Sequence, residues 1–307
     1  MTTLHPLSAS TQRRLVAAGL DAEAVEALVR HAIAEDLAGG IDVTSTATVP
    51  SGQRSTAEYV ARRSGTVAGI PVVAAVIDVV CGDEASGFDS LCDDGTRVGP
   101  GHVLARVSAP TRLLLTAERT SLNLLCHLSG IATLTAQWSD ALAGTGARVR
   151  DTRKTTPGLR SLEKYAVRCG GGVNHRMSLS DAALVKDNHV MAAGGVAAAF
   201  RAVRALSPDI TLEIEVDNLD QLREALEAGA DLIMFDNFDV EQMRNGVAVT
   251  RAYESASGRR VLLEASGGLT LADAAAVGST GVDYIAVGAL THSAPILDIG
   301  LDLTEVH

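Results

Sequence analysis

The stretch Leu212–Asn237, LEIEVDNLDQLREALEAGADLIMFDN, decides the fold. It opens with an apolar run, Leu212 to Val216. Asp220–Ala228 (DQLREALEA) then places apolar residues at helical spacing, and Gly229 supplies a normal helix stop. A second apolar run, Leu232 to Asp236, follows. Strand, helix and strand in so short a span predict a parallel pair, buried on both faces of its sheet.

The same alternation continues on both sides. Further candidate strands are Ala147–Asp151, Ala182–Lys186, Val261–Ala265 and Tyr284–Val287, and helix-like segments separate most of them. The options are a doubly wound sheet or a (β/α) barrel with fewer than eight strands. Upstream the pattern differs. Residues 12–35 read as one or two amphipathic helices, followed by a Gly/Asp loop, DLAGGIDVTS. Alternating segments at Thr56–Ala61, Gly65–Ile70 and Val103–Val107 surround one apolar helix, Val72–Val80. This is an α+β pattern. A long helical stretch, about Thr111 to Leu142, joins the halves, and Gly130 leaves open a kink or a break into two helices.

Composition narrows the function. The chain has 307 residues, 26 Lys+Arg against 37 Asp+Glu, and a formal net charge of -11. Bulk repulsion opposes general nucleic-acid or anionic-membrane binding, and 3% aromatic residues leave little for base stacking. The most apolar stretch, Thr66–Cys81, contains Pro71 and Asp78 and is too short for a membrane span. No secretory signal is visible at the N-terminus. The four cysteines show no CxxC pair, so reduced thiols and a cytoplasmic location are expected.

Against this acidic background the cations are unevenly placed. Lys154, Lys164 and Lys186 are the only lysines, and eight Lys/Arg face three Asp/Glu between Arg150 and Lys186. Several interrupt strand-like or glycine-rich sequence rather than helical repeats. A local cationic site in an acidic chain points to small anionic ligands, phosphates or carboxylates.

The ends of the candidate strands show where such ligands would sit. They read Asp151-Thr152-Arg153-Lys154, Lys186-Asp187-Asn188-His189, Glu215-Val216-Asp217, Asp236-Asn237, Ser266-Gly267-Gly268 and Gly288. In parallel α/β folds these ends converge on the active site. Cations from the first two strands, carboxylates from the next two and glycines from the last two are expected to face one cleft. Arg153, Lys154, Arg176 and Lys186, with His175 in the glycine-rich GGGVNHR, form a cluster able to hold several anionic groups. Glu215 and Asp236 are hard oxygen donors suited to Mg²⁺ with retained waters. Their bland alternative is strand-end carboxylates bonded to amides or to the nearby cations. Ser266-Gly267-Gly268-Leu269-Thr270 and Val287-Gly288-Ala289 are expected to open helices whose amides cradle phosphate. The sum is a site for a multi-anionic small molecule and a phosphorylated sugar. These residues alone do not name the reaction.

The run DTRKTTPGLRSLEKYAVRCGGGVNHRMSLSDAALVKDNH (Asp151–His189) resembles the quinolinate phosphoribosyltransferase family. The likeness extends through AERTSLNLLCHLSGIAT, IEVDNLDQ, IMFDNF, LEASGG and VDYIAVGALTHSAPILDIGL, and through AEDLAGGIDVTS near the start. It covers nearly the whole chain. One departure is Ser178, where the family more often has glycine.

The resemblance implies an α/β protein: an N-terminal α+β sandwich domain (1–124) and an open (α/β) barrel of about six or seven strands (125–295). The tail, about 296–307, is expected to return to the first domain. It implies phosphoribosyl transfer from phosphoribosyl pyrophosphate to quinolinate with decarboxylation, Mg²⁺ as cofactor, and a homodimer at least. Carried over position by position, Arg153, His175, Arg176 and Lys186 surround the quinolinate carboxylates, with Thr152 nearby. Lys154, Glu215 and Asp236 serve the ribose, pyrophosphate and metal. Ser266, Gly267, Gly268 and Gly288 hold the 5′-phosphate. Arg119 reaches the quinolinate site of the neighbouring subunit, a role that rests wholly on the resemblance. The rival readings are a related phosphoribosyltransferase for another aromatic acid and a non-catalytic metabolite-binding protein. Lys154, Glu215 and Asp236 argue against the second.

Overall fold

The computed structural model describes residues 3–306. The chain forms two compact units. The first comprises the residues up to Leu134, Ser161–Gly171 and the segment from Ser293 onward; the second comprises Thr135–Arg160 and Gly172–His292.

In the first unit, helices α1 (Ala9–Ala17), α2 (Ala22–Leu37) and α3 (Val43–Thr48) precede strand β1 (Arg54–Ala61). A short strand β2 (Gly65–Thr66), helix α4 (Ile70–Cys81), strands β3 (Phe88–Ser90), β4 (Arg97–Val98) and β5 (Val103–Pro110) and the long helix α5 (Thr111–Ala141) follow. Helix α3 falls in the segment read as a loop. Its N-cap is Asp42, whose carboxylate accepts from the Ser45 amide. The region read as an alternating segment over Gly65–Ile70 instead holds two strand residues and the start of α4. Asp94 explains the difference: its carboxylate accepts from the amides of Gly69 and Ile70 at 2.7 and 3.1 Å. That long-range cap cannot be read from local pattern. Helix α5 runs unbroken through Gly130. A Cβ there would press on the Pro295 carbonyl, so this glycine serves close backbone approach rather than a kink.

The second unit supplies the parallel sheet. Its strands are β6 (Arg148–Arg150), β7 (Ala182–Val185), β8 (Thr211–Val216), β9 (Leu232–Asp236), β10 (Leu262–Ser266) and β11 (Tyr284–Ala286). Helix α6 (Arg160–Cys169), most of which belongs to the first unit, lies between β6 and β7 in the chain. Helices α7 (Asp187–Ala193), α8 (Val196–Leu206), α9 (Leu219–Ala228), α10 (Val240–Ser257), α11 (Ala274–Gly278) and α12 (Ala289–His292) connect or follow the other strands. The sheet order is β6-β11-β10-β9-β8-β7, all parallel, with β6 and β7 at its two edges. This is an open barrel of six strands. A last strand, β12 (Ile299–Val306), pairs antiparallel with β1 in the first unit, whose main sheet has the order β12-β1-β5-β3.

Register and the two-residue period fix what each face of the barrel carries. Glu213 and Glu215 share one face of β8 and align with Leu232 and Met234; Ser266 aligns with Asp236, and Arg150 with Ala286. The alternate residues, Ile214, Ile233, Phe235, Leu263 and Ile285, are fully buried hydrophobics. Phe235 packs so closely on α10 that a Cβ at Gly246 would lie 2.7 Å from its ring. Apolar positions hold the helices on the sheet, and the other face is free to carry charge.

Candidate active site

The C-terminal strand ends open into a cleft of about 780 Å³. Its lining includes Thr152, Arg153, Lys154, His175, Arg176, Lys186, Glu215, Asp236, Ser266, Gly267, Gly268 and Gly288. Every site residue singled out in the barrel therefore lies on one cavity. Arg119 does not line it. That residue lies on α5, 62% exposed at its side chain, with Nη2 2.9 Å from Glu118 Oε1.

Lys154 follows β6, where Thr152 and Thr291 shape the backbone. The Lys154 amide donates to Thr152 Oγ1 at 3.0 Å, and Thr291 Oγ1 donates to the Lys154 carbonyl at 2.8 Å. Its side chain runs past Gly288, where a Cβ would come 3.0 Å from Lys154 Cδ. Lys186, just after β7, donates from Nζ to Glu215 Oε2 at 2.8 Å. This ion pair links a candidate carboxylate-binding cation to a candidate metal ligand. Arg176 donates from Nη1 to the Ala182 carbonyl at 2.8 Å. Burial, with the like charge of Arg153, holds its guanidinium below the ordinary value. Arg153 Nε is buried and has no hydrogen-bond partner among the described residues. Such a donor is suited to a ligand oxygen.

The glycine turn after β10 differs from the expectation. No helix starts at Gly267 or Gly268; a single 3₁₀ turn, Leu271–Asp273, comes first, capped by Thr270, and α11 follows it. Gly267 and Gly268 have φ of +106° and +54°, so the turn itself presents the amides. Opposite, Asn237 is held at φ +55° with its amide donating to the Ser266 carbonyl at 3.0 Å. A Cβ on Gly267 would overlap the Asn237 side chain and lie 2.8 Å from its backbone nitrogen. Gly288 does precede a helix, the four-residue α12. Ser178 lies in a turn closed by Asp181, which accepts from the amides of Met177 and Ser178 at 2.6 and 3.0 Å. Its φ is not positive, so serine fits without strain.

Beneath the cleft lies a charge cluster that sequence reasoning missed. Arg150, Glu213 and Glu264 project from β6, β8 and β10, and Glu213 and Glu264 are buried. Arg150 Nη1 donates to Glu264 Oε2 at 2.6 Å, and its guanidinium lies over the Tyr284 ring at 4.5 Å. Burial pushes the carboxyls of Glu213 and Glu264 up to about 7, against the pull of Arg150. His175 Nε2 lies 2.8 Å from Glu213 Oε2 and 3.8 Å from Glu264 Oε1. The buried Asp151 anchors the loop carrying His175, accepting from the His175 amide at 2.9 Å and from the Asn174 side chain. The signal was present in the sequence. Glutamates two apart in LEIEV, within a strand buried on both sides, must place two carboxylates on one interior face.

Among the described residues no helix is long and apolar enough to cross a membrane. All four cysteines are free.

Comparison with known proteins places this cleft in context. Residues 42–129 match the family model of the quinolinate phosphoribosyl transferase N-terminal domain, and residues 131–302 match that of its C-terminal domain. A nicotinate-nucleotide pyrophosphorylase [carboxylating] of Mycobacterium leprae is 54% identical over 92% of this chain and 98% of its own length. A probable nicotinate-nucleotide pyrophosphorylase [carboxylating] of Bacillus subtilis is 41% identical, over 90% of this chain and 92% of its own. The solved structure of the nicotinate-nucleotide pyrophosphorylase from Francisella tularensis superposes with a TM-score of 0.85 at 36% identity, covering 92% of this chain and 96% of that one. With both halves matched and relatives this similar over nearly their full length, the chain belongs to the quinolinate phosphoribosyltransferase family.

Proposed function

We propose that the protein transfers the phosphoribosyl group of phosphoribosyl pyrophosphate to quinolinate with decarboxylation, giving nicotinate mononucleotide, pyrophosphate and CO2 for NAD biosynthesis. The observation that carries this reading is the convergence of four cations, two strand-end carboxylates and two glycine turns on one cleft. Each class of group matches one part of the two substrates.

Arg153, Arg176 and Lys186, with Thr152 and His175 beside them, receive the quinolinate carboxylates. The glycine turns at Ser266–Gly268 and Gly288 receive the 5′-phosphate through backbone amides. Lys154, backed by Gly288, reaches the pyrophosphate and the ribose. Glu215 and Asp236 fit Mg²⁺, since hard cations of that size take one or two carboxylates and complete their shell with water and phosphate. When bound, Mg²⁺ neutralises charge on the pyrophosphate oxygens.

The ring nitrogen of quinolinate forms a bond to the anomeric carbon as the bond to pyrophosphate breaks, its electron pair leaving with the pyrophosphate. Positive charge builds on the sugar, where Glu215 and Asp236 stabilise it, while Lys154 stabilises the leaving oxygens. The ring nitrogen then carries positive charge. The bond from C2 to its carboxylate breaks, the pair stays on C2 beside that cation, and a proton replaces CO2. The protein positions and stabilises charge; no covalent nucleophile is required.

The same reading includes a homodimer in which Arg119 enters the quinolinate site of the partner subunit. Its support is the exposure of Arg119 on α5. A cytoplasmic place of action is supported by the four free cysteines.

Incubation with quinolinate, phosphoribosyl pyrophosphate and Mg²⁺ is expected to yield nicotinate mononucleotide. A folded protein that binds the sugar phosphate and turns over a different aromatic acid, with no product from quinolinate, would overturn the base assignment.

A further inference from the structure

His175 sits among cations, yet its ring nitrogens do not behave as those of a cation. Nδ1 accepts a hydrogen bond from the Arg176 amide at 2.7 Å. A nitrogen that accepts has its lone pair free and carries no proton. The ring therefore holds one proton, on Nε2, and Nε2 faces Glu213 Oε2 at 2.8 Å and Glu264 Oε1 at 3.8 Å. The contact with Glu213 is close, but its geometry falls short of a well-aligned hydrogen bond. Two buried carboxylates would ordinarily draw a second proton onto a histidine. Here Arg150 donates to Glu264 at 2.6 Å, and burial raises both carboxyls to about 7, so the pair is only partly ionised at neutral pH. Asp151 accepts from the His175 amide, and the Arg176 amide donates to the ring.

We propose that Glu213 and Glu264, backed by Arg150, are positioning residues that hold His175 as a neutral imidazole with its proton on Nε2. His175 then frames the aromatic-acid pocket by shape and adds no positive charge to it. The charge that meets the substrate carboxylates comes from Arg153, Arg176 and Lys186. The role assigned to the pocket rests on the function proposed above; the state of the ring does not. His175, Glu213 and Glu264 also bring ligand atoms within 4.8 Å of one another, as a small metal site would. The guanidinium of Arg150 already supplies the positive charge there, and an ion on Nε2 is incompatible with a proton at that atom.

The test is ¹⁵N NMR of the full-length enzyme labelled at histidine, with His175 assigned by loss of its signals in His175→Gln. A neutral ring with the proton on Nε2, unchanged from about pH 6 to about pH 8, is expected. A doubly protonated ring, a proton on Nδ1, or a stoichiometric metal ion on Nε2 would overturn the proposal. Glu213→Leu should redistribute the proton between the two ring nitrogens and raise the quinolinate KM about tenfold with the phosphoribosyl pyrophosphate KM unmoved. Glu213→Gln, which keeps an acceptor, should restore both. Equal loss for both substrates in Glu213→Leu, with the ring tautomer unaltered, would also contradict it. Since the ring state is read without turnover, failure of the proposal is distinguishable from failure of the quinolinate assignment.

Discussion

Lys154 lies directly against Gly288: a Cβ built on that glycine would stand 3.0 Å from Lys154 Cδ. The first and last barrel strands in chain order, β6 and β11, thus bring cation and glycine to one point of the cleft. The Lys154 backbone is held there from both sides, by Thr152 and Thr291.

Because Lys154 is exposed and its contacts are to the cleft, Lys154→Ala should lower kcat by roughly 10²–10³ while changing stability by less than about 0.5 kcal/mol. Steady-state kinetics beside a denaturant melt check this. Turnover near wild type in the folded variant would remove Lys154 from the leaving-group site.

Arg119→Ala should give a folded enzyme whose quinolinate KM rises more than its phosphoribosyl pyrophosphate KM. If the arginine acts across subunits, Arg119→Ala and Lys154→Ala protein, unfolded together and refolded as a mixture, should recover activity that neither has alone. A mixture as inactive as its parts would confine both residues to one subunit's site or remove Arg119 from it.

At Gly267, φ of +106° and overlap with the Asn237 side chain both oppose a side chain. Gly267→Ala should distort the turn at a cost of about 1–3 kcal/mol, weakening phosphoribosyl pyrophosphate about tenfold or more. Quinolinate binding measured alone by calorimetry should change little. An unaltered affinity for the sugar phosphate would show that the turn does not hold it.

Glu264 shows the effect of burial on stability. Its carboxyl sits at about 7 in the folded protein, above its ordinary 4.5. Unfolding therefore releases protons in that range, so the stabilising contribution is whole below about pH 4.5 and is lost as pH rises through about 7, on the order of 3 kcal/mol. Glu264→Gln, which keeps the side chain neutral at every pH, should flatten the decline between those pH values. Denaturant melts at several pH values read the slope; an unchanged slope would mean that Glu264 is ionised throughout.

The barrel was legible because its strands are short apolar runs between helical repeats, and the runs from Leu212 to Asp236 appear with little change at their ends. The strand-end residues were legible for the same reason: once the strands are parallel, their last residues share one rim. The inward glutamates were hidden by the assumption that a strand buried on both sides is apolar on both. Glu213 and Glu264 break that assumption by pairing with Arg150 and His175. Long-range capping also escaped the sequence. Asp94 caps α4 from 24 residues away, and no local pattern announces such a partner. The same holds for Gly130, whose purpose depends on Pro295. Arg119 had no signal beyond the family resemblance, since an exposed arginine beside a glutamate on a helix is an ordinary surface pair.

The most direct measurement follows both leaving groups at once. Quinolinate labelled separately in its C2 and C3 carboxylates would be mixed with phosphoribosyl pyrophosphate and Mg²⁺, and labelled CO2, pyrophosphate and nucleotide counted together, with nicotinate in a parallel reaction. The account predicts CO2 from the C2 carboxylate only, equal to pyrophosphate released, and nicotinate mononucleotide from quinolinate but not from nicotinate. Pyrophosphate release without CO2, or equal turnover of nicotinate, would contradict it.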